Sequence, residues 1–138
     1  MRFTADTIAL LNANPLYRTI GIRIDEVGDG CARATLTPTA EVCWPTPGQP
    51  HGGILFTTMD TTMAFAALST AAHDSGCATV DCNIQYPAPA SHGPFVCRAA
   101  TTHRGGRTVF VRAEILDSRD AMVAIGQATF RIIAGKGL

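Results

Sequence analysis

The chain has 138 residues, which is enough for one domain whose core needs no disulfide or structural metal. Eleven basic and eleven acidic side chains give a formal charge of zero, which argues against general nucleic-acid binding and a polybasic membrane patch. The N-terminus lacks a signal peptide's apolar stretch, and polar residues interrupt the most apolar segment, so we expect a cytoplasmic protein without a transmembrane span.

The five cysteines are interpreted as reduced, mostly buried thiols, because their number is odd and none forms a C-x-x-C pair. No histidine and cysteine spacing resembles a zinc site. The sequence therefore predicts neither a metal nor a redox cofactor.

The first third of the chain reads as one helix, a hairpin and a loop. Residues 4–14 are amphipathic and predict a short helix that ends at Asn14-Pro15. Residues 20–27 alternate apolar and polar, and a glycine turn separates them from a second strand over residues 31–37. Residues 38–50 contain four prolines, including Pro47, and predict a stiff loop.

The remainder predicts one long buried helix and four strands. Residues 52–72 are good helix formers and apolar nearly all round, so the helix should be buried on most sides. The strand candidates follow at residues 79–86, 94–103, 107–117 and 121–133, the first with Val80, Cys82, Ile84 and Tyr86 on one face. A single domain over residues 1–138 is expected, of class α+β, with an antiparallel sheet curved around the helix.

The informative segment runs from His51 to Thr62. Gly52 and Gly53 open the buried helix, so backbone N–H groups without a neighbouring Cβ and the positive end of the helix dipole face a potential ligand. Such a site suits a carbonyl oxygen that becomes negative. Asp60 lies within the apolar run, where burying a carboxylate costs free energy unless the group is paired with another side chain or has a catalytic role.

Each feature also has a plainer structural interpretation. Two glycines can serve close packing, and Asp60 can face solvent or accept a hydrogen bond from Thr57 or Thr61. It is the combination that favours a catalytic site.

Asp60 follows Gly52 by eight residues, roughly 12 Å along a helix, whereas groups acting on one carbonyl must lie within about 3 Å of it. We therefore predict a symmetric homodimer with active sites at the interface.

The pattern His-Gly-Gly, six residues, Asp-Thr resembles the motif of the phenylacetic-acid-degradation type (PaaI-like) thioesterases of the hot-dog superfamily. The stretches 79–90 and 107–111 are also similar to that family, and the likeness covers roughly residues 15–133. The resemblance implies a hot-dog fold, hydrolysis of an acyl-CoA thioester, edge-to-edge pairing of two sheets, and association of dimers into a homotetramer.

The resemblance also assigns roles to individual residues. Asp60 matches the catalytic carboxylate, as nucleophile or general base, and the Gly52 N–H matches the donor to the thioester carbonyl. His51 holds the loop, and Thr79 falls where some members place a hydroxyl near the attacking water. The chain departs from the family at Pro45, where many members have an amide side chain six residues before the motif histidine.

Further residues are candidates for substrate binding. Gln49 is an alternative source of the missing amide, and Gly53 adds a second bare N–H group. In the family, the CoA nucleotide lies near the loop that contains Ser91 and near the hairpin that contains Arg104 and Arg107. Arginine suits phosphate recognition, although each of these side chains can equally belong to a solvated hairpin.

Three other functions were weighed against this one. An α/β-hydrolase also uses a His-Gly-Gly oxyanion loop, but the chain lacks a G-x-S-x-G elbow and is short for that fold. A hot-dog dehydratase or hydratase would carry a different histidine and carboxylate motif. A non-catalytic acyl-CoA-binding protein stays open because of Pro45.

Overall fold

Two short helices open the computed structural model, which describes residues 3–45 and 48–136; Pro47 of the predicted loop lies outside them. Helix α1 spans Ala5–Asn12, and its cap Thr4 accepts a hydrogen bond from the Thr7 N–H. Helix α2 spans Pro15–Ile20, because Pro15 occupies a first helical position that needs no N–H donor and Asn14 caps it. The sequence predicts a first helix that ends at Asn14-Pro15 and no element over residues 16–19, so this second helix was not predicted.

The six strands form one antiparallel sheet in the order β1-β2-β4-β5-β6-β3. Their bounds are Ile22–Gly28 for β1, Cys31–Leu36 for β2, Gly76–Gln85 for β3, Phe95–Gly105 for β4, Thr108–Leu116 for β5 and Met122–Ile133 for β6. The predicted α+β class and the curved sheet around one long helix are confirmed. Strands β1 and β3 are the two edges of the sheet.

The long helix, α3, spans Gly52–Ser69 and lies against the inner face of the sheet. A row of small residues crosses the inner face beneath it: Ala32, Ala99, Ala113 and Gly126, paired through neighbouring strands. A Cβ on Gly126 would lie 2.7 Å from the Met59 sulfur and 2.6 Å from the Asn83 carbonyl oxygen. Only glycine fits there, so the helix approaches the sheet closely.

The hydroxyl groups of three threonines in α3 donate hydrogen bonds to backbone carbonyls of the same helix. Thr58 and Thr62 are fully buried and donate to the carbonyls of Ile54 and Thr58, at 2.8 Å and 2.6 Å. Thr57 donates in the same way to the Gly53 carbonyl at 2.9 Å. Because each bond stays within the helix, the helix can be buried although it carries several polar side chains.

A β-bulge in β3 changes which residues of that strand face the helix. The pairing with β6 shifts between Thr79 and Asp81, so Val80 is the extra residue and is 66% exposed. The prediction that Val80 shares a face with Cys82 is therefore wrong. Thr79 pairs with Phe130, which is fully buried, and so takes the inner-face position instead.

Candidate active site

The N-terminus of α3 presents a free backbone donor. His51 is the cap residue, and its Nδ1 accepts a hydrogen bond from the Gly53 N–H at 2.9 Å. A Cβ on Gly53 would lie 3.0 Å from that nitrogen, so a glycine leaves room for the cap. The Gly52 N–H has no hydrogen-bond partner within residues 3–45 and 48–136. Together with the helix dipole it forms a donor suited to a negative oxygen.

Two aromatic residues surround this helix end. The Tyr86 hydroxyl donates to the Gly52 carbonyl at 2.8 Å, and its ring would be 3.6 Å from a Cβ at Gly52. The Trp44 ring lies beside the His51 imidazole with their centroids 4.9 Å apart. Tyr86 and Trp44 are about half exposed, so the donor lies in an open, apolar setting.

The carboxylate of Asp60 is held from a different element. Its Oδ1 accepts a hydrogen bond from the Thr79 hydroxyl at 2.9 Å. This contact exists because the bulge at Val80 turns Thr79 toward the helix. The Thr57 hydroxyl bonds within the helix and so is not the donor to Asp60, which is only partly buried and therefore also faces solvent in part. The structure thus brings Asp60 and Thr79 together.

The charge of Asp60 affects its neighbours. Burial, followed by the negative charges of Asp60 and Asp81, raises the pKa of the Cys82 thiol to about 11. Burial raises the pKa of Tyr17 as well, with further contributions from Asp60 and Cys77. Both groups are neutral at physiological pH, so Asp60 lies between uncharged, partly buried side chains.

Asp60 and Gly52 of one chain lie far apart. Both belong to the uninterrupted helix α3, eight residues from each other, which corresponds to about 12 Å along the axis. One thioester carbonyl cannot contact both groups of the same chain.

Two further predicted residues, Gln49 and Ser91, lie in loops outside α3. Gln49 is next to the helix end, and its backbone carbonyl accepts from the Trp44 N–H at 2.9 Å. Ser91 is exposed in the loop between β3 and β4 and lines a concavity of about 460 Å³ with His92 and Arg119.

The predicted arginines lie near the opposite end of α3. Arg104 donates to the Thr70 carbonyl at the helix C-terminus and to the Gly106 carbonyl at 3.1 Å. Arg107 is exposed in the same hairpin, and its carbonyl accepts from the Ile132 N–H. Arg104 therefore stabilises the helix end, where a cation is favourable.

Sequence reasoning missed Tyr86 and Tyr17 as parts of the site. The sequence predicts Tyr86 on the same strand face as Cys82 and Ile84 but predicts no role for it in the site. Its contact with Gly52 could not have been predicted, because that depends on where the strand ends relative to the helix. Tyr17 comes from α2, which the sequence did not predict.

Two further properties bear on the class of protein. Within residues 3–45 and 48–136, no three His, Cys, Asp or Glu side chains form a group able to hold a metal ion. Likewise, none of the helices described is both long enough and apolar enough to cross a membrane.

A long helix inside a six-stranded antiparallel sheet, with a free N–H at its start and a carboxylate two turns later, defines a hot-dog protein of the thioester-hydrolase class. The profile of the family described as "Thioesterase superfamily" matches residues 48–124, and the chain belongs to that family.

Solved structures agree with this assignment. The conserved protein PA5202 of Pseudomonas aeruginosa is 33% identical, with a TM-score of 0.79 over 87% of this chain and 94% of that one. The E. coli PaaI protein, from the phenylacetic acid degradation operon, is 26% identical, with a TM-score of 0.81 over 94% and 92%. The Haemophilus influenzae thioesterase HI1161 shares the fold at 20% identity, with a TM-score of 0.86 over 96% and 92%.

The proximity of Asp60 and Cys82 can be tested without any substrate. A thiol with a pKa near 11 is thiolate in only about one molecule in a thousand at pH 8. Asp60→Asn removes a negative charge that opposes ionisation, so the pKa of Cys82 falls and its alkylation at pH 9 becomes severalfold faster. Alkylation rates are measured on the Cys82 peptide by mass spectrometry. Asp29→Asn, in the exposed β1–β2 turn, is the matched control; an unchanged Cys82 rate in Asp60→Asn would contradict the geometry.

Proposed function

We propose that the protein is an acyl-CoA thioesterase that hydrolyses its substrate to a free carboxylic acid and CoA. The observation that carries the proposal is the Asp60 carboxylate, the one charged side chain of α3, which Thr79 holds on a helix whose N-terminus offers the unpaired Gly52 N–H. Acyl transfer needs these two groups: one to supply or activate a nucleophile, the other to stabilise a negative carbonyl oxygen.

The reaction balances with water as the only co-reactant. In the general-base route, Asp60 takes a proton from water as the water oxygen bonds to the thioester carbon, and the carbonyl oxygen becomes negative at Gly52. The C–S bond then breaks, and the leaving sulfur receives the proton. In the nucleophilic route, an Asp60 oxygen bonds to the thioester carbon and the C–S bond breaks, which releases the CoA thiolate. Water then hydrolyses the resulting anhydride to the free acid and the Asp60 carboxylate, and the proton released from water goes to the thiolate. No metal or redox cofactor takes part in either route, and this stays a prediction.

Residues around the helix end suit the substrate. The Gly53 N–H is bonded to the His51 Nδ1 and so is not the second bare donor that the sequence predicted, whereas the exposed rings of Trp44 and Tyr86 offer apolar surface for an acyl or aryl group. Gln49 supplies an amide beside His51 in place of the one that Pro45 lacks. For CoA, Ser91 and the Arg104 and Arg107 hairpin remain candidates, with Arg107 the freer cation because Arg104 is bound to Thr70.

The active protein is proposed to be a homodimer paired through β3. This edge strand of ten residues includes the exposed bulge residue Val80, and such an edge is a template for another strand. Asp60 contacts β3 at Thr79, and Gly52 contacts the chain just beyond it at Tyr86. Antiparallel pairing about a dyad midway between these two residues sets Thr79 opposite the partner's Tyr86, so Asp60 approaches the Gly52 N–H of the partner subunit.

The first test measures thiol release from a panel of aryl- and fatty-acyl-CoAs by the unmodified protein and by Asp60→Asn. We expect turnover on one substrate class and a loss of at least about a hundredfold in Asp60→Asn, since the base or nucleophile is removed. Unchanged turnover in the variant would refute the role of Asp60. Binding of acyl-CoA without turnover in the unmodified protein would favour the non-catalytic alternative.

The Gly52 donor can be removed without rebuilding the helix. Gly52 is the first helical residue, a position that accepts proline, and His51 has φ −56° and ψ 141°, which suits a residue before proline. Gly52→Pro deletes the N–H and is expected to lower kcat about 10²- to 10³-fold at an unchanged melting temperature. Gly52→Ala retains the N–H and is the control; equal losses in both variants would mean that bulk, rather than the donor, is responsible.

Mixing these inactive variants tests the shared site. In a mixed dimer of Asp60→Asn and Gly52→Pro chains, one of the two sites combines an intact Asp60 with an intact Gly52 from the other chain. Unfolding and refolding an equal mixture should restore about a quarter of the unmodified activity, because half of the dimers are mixed and each has one intact site. No recovery, with mixed dimers verified by native mass spectrometry, would place both groups in one chain.

A further inference from the structure

The first peptide unit of α3, between Gly52 and Gly53, is held on both sides. Its oxygen, the Gly52 carbonyl, accepts a hydrogen bond from the Tyr86 hydroxyl at 2.8 Å. Its N–H, that of Gly53, donates to the His51 Nδ1 at 2.9 Å. Because a peptide unit is planar, bonds at its oxygen and at its N–H fix the orientation of the whole plane.

The unpaired Gly52 N–H belongs to the peptide unit that comes just before. The oxygen of that unit, the His51 carbonyl, accepts from the Ile54 N–H at 2.8 Å. The two units meet at the Gly52 Cα, where the lack of a side chain permits a wide range of φ and ψ. The direction of the free N–H therefore depends on both planes being held.

Tyr86 ties this turn to the rest of the protein. Besides the backbone bonds within α3, the bonds to these two peptide units in the described part of the chain come from His51, Ile54 and Tyr86. Of the three, Tyr86 alone lies outside the turn, directly after β3. The first turn of a helix lacks intrahelical partners for its N–H groups and frays readily, so a bond from another element stabilises it.

The sheet sets the position of Tyr86. Strand β3 ends at Gln85, which pairs with Ile125 of β6. Pro87 follows Tyr86, and a residue before proline is restricted to extended backbone, so Tyr86 continues the direction of the strand. Burial, and to a smaller extent the proximity of Cys82, raises the pKa of Tyr86, so the hydroxyl keeps the proton that it donates.

We propose that Tyr86 is a positioning residue whose hydroxyl holds the start of α3, so that the Gly52 N–H keeps the direction needed to stabilise a negative carbonyl oxygen. This role rests on the proposed thioesterase function, because it concerns the donor of that reaction. A donor that is already aligned needs no reorganisation as the charge forms. The role belongs to the hydroxyl, whereas the aromatic ring offers apolar surface to the substrate.

The kinetic test is Tyr86→Phe, which removes the hydroxyl and keeps the ring. We expect kcat to fall about tenfold and KM to change by less than about twofold, because the substrate contacts remain while the donor loses its alignment. Both constants are measured by thiol release from the best acyl-CoA. An unchanged kcat, or a higher KM at the same kcat, would overturn the proposal.

A double-mutant cycle separates positioning of the N–H from general damage to the site. Gly52→Pro has no N–H to position, so adding Tyr86→Phe should lower its kcat by less than about twofold. Gly52→Ala keeps the N–H, and in that background Tyr86→Phe should still cost about tenfold. Equal losses in the two backgrounds would show that Tyr86 does not act through the Gly52 N–H, and the proposal would be wrong.

A second readout needs no substrate. NMR relaxation of the backbone amides gives order parameters, which are about 0.85 for a rigid backbone and below about 0.6 for a flexible one. We expect Gly52 and Gly53 to be rigid in the unmodified protein and to move clearly toward the flexible value in Tyr86→Phe, at an unchanged melting temperature. The matched control is Tyr17→Phe, which removes the chain's other tyrosine hydroxyl and should leave both order parameters unchanged. Equal order in Tyr86→Phe and the unmodified protein would contradict the proposal.

The two readouts let this role and the proposed function fail separately. If the unmodified protein hydrolysed no acyl-CoA, the thioesterase function would be refuted, while a loss of order at Gly52 in Tyr86→Phe would still support Tyr86 as the residue that holds this donor. If turnover were present and both order and kcat stayed unchanged in Tyr86→Phe, the function would stand and the role of Tyr86 would be refuted.

Discussion

The close contact between α3 and the small-residue row of the sheet is the constraint on which the other features depend. The Met59 sulfur lies 2.7 Å from where a Cβ on Gly126 would be, so the glycine leaves the space in which this fully buried side chain packs. Because successive residues on a helix are rotated by about 100°, fixing Met59 toward the sheet fixes the direction of Asp60. That direction is toward β3, where Thr79 binds its carboxylate. The core packing thereby orients the catalytic candidate.

Strand β3 connects the two chemical groups that the helix separates. It contacts Asp60 through Thr79 and, just past its end, Gly52 through Tyr86. The same strand is a free edge of the sheet, so the element that braces both groups is also the element available for pairing. In the proposed dimer, an antiparallel dyad would bring Asp60 of one chain close to the Gly52 N–H of the partner subunit. Under this proposal, the active site would be complete only when two chains assemble.

Much of the fold and of the candidate site follows from the sequence, and the exceptions share a cause. The long helix, the strands and the motif from His51 to Asp60 have clear local patterns, and the structure has each of them. The helix over Pro15–Ile20 was missed because Pro15 ends one helix and begins another, and the sequence pattern indicates only the break. The bulge at Val80 and the anchoring of Arg104 at Thr70 depend on contacts between distant segments, which no local pattern encodes.

The polar side chains of α3 differ in where their hydrogen-bond partners lie, within the same helix or in another element. The threonine hydroxyls of residues 57, 58 and 62 are satisfied by carbonyls of their own helix, so they need nothing from the rest of the protein. A carboxylate cannot bond to the carbonyls of its own helix, because both groups only accept hydrogen bonds. The donor that Asp60 has is the Thr79 hydroxyl of another element, β3. In the proposed reaction, the remaining lone pairs of this carboxylate accept a proton from water or attack the thioester carbon.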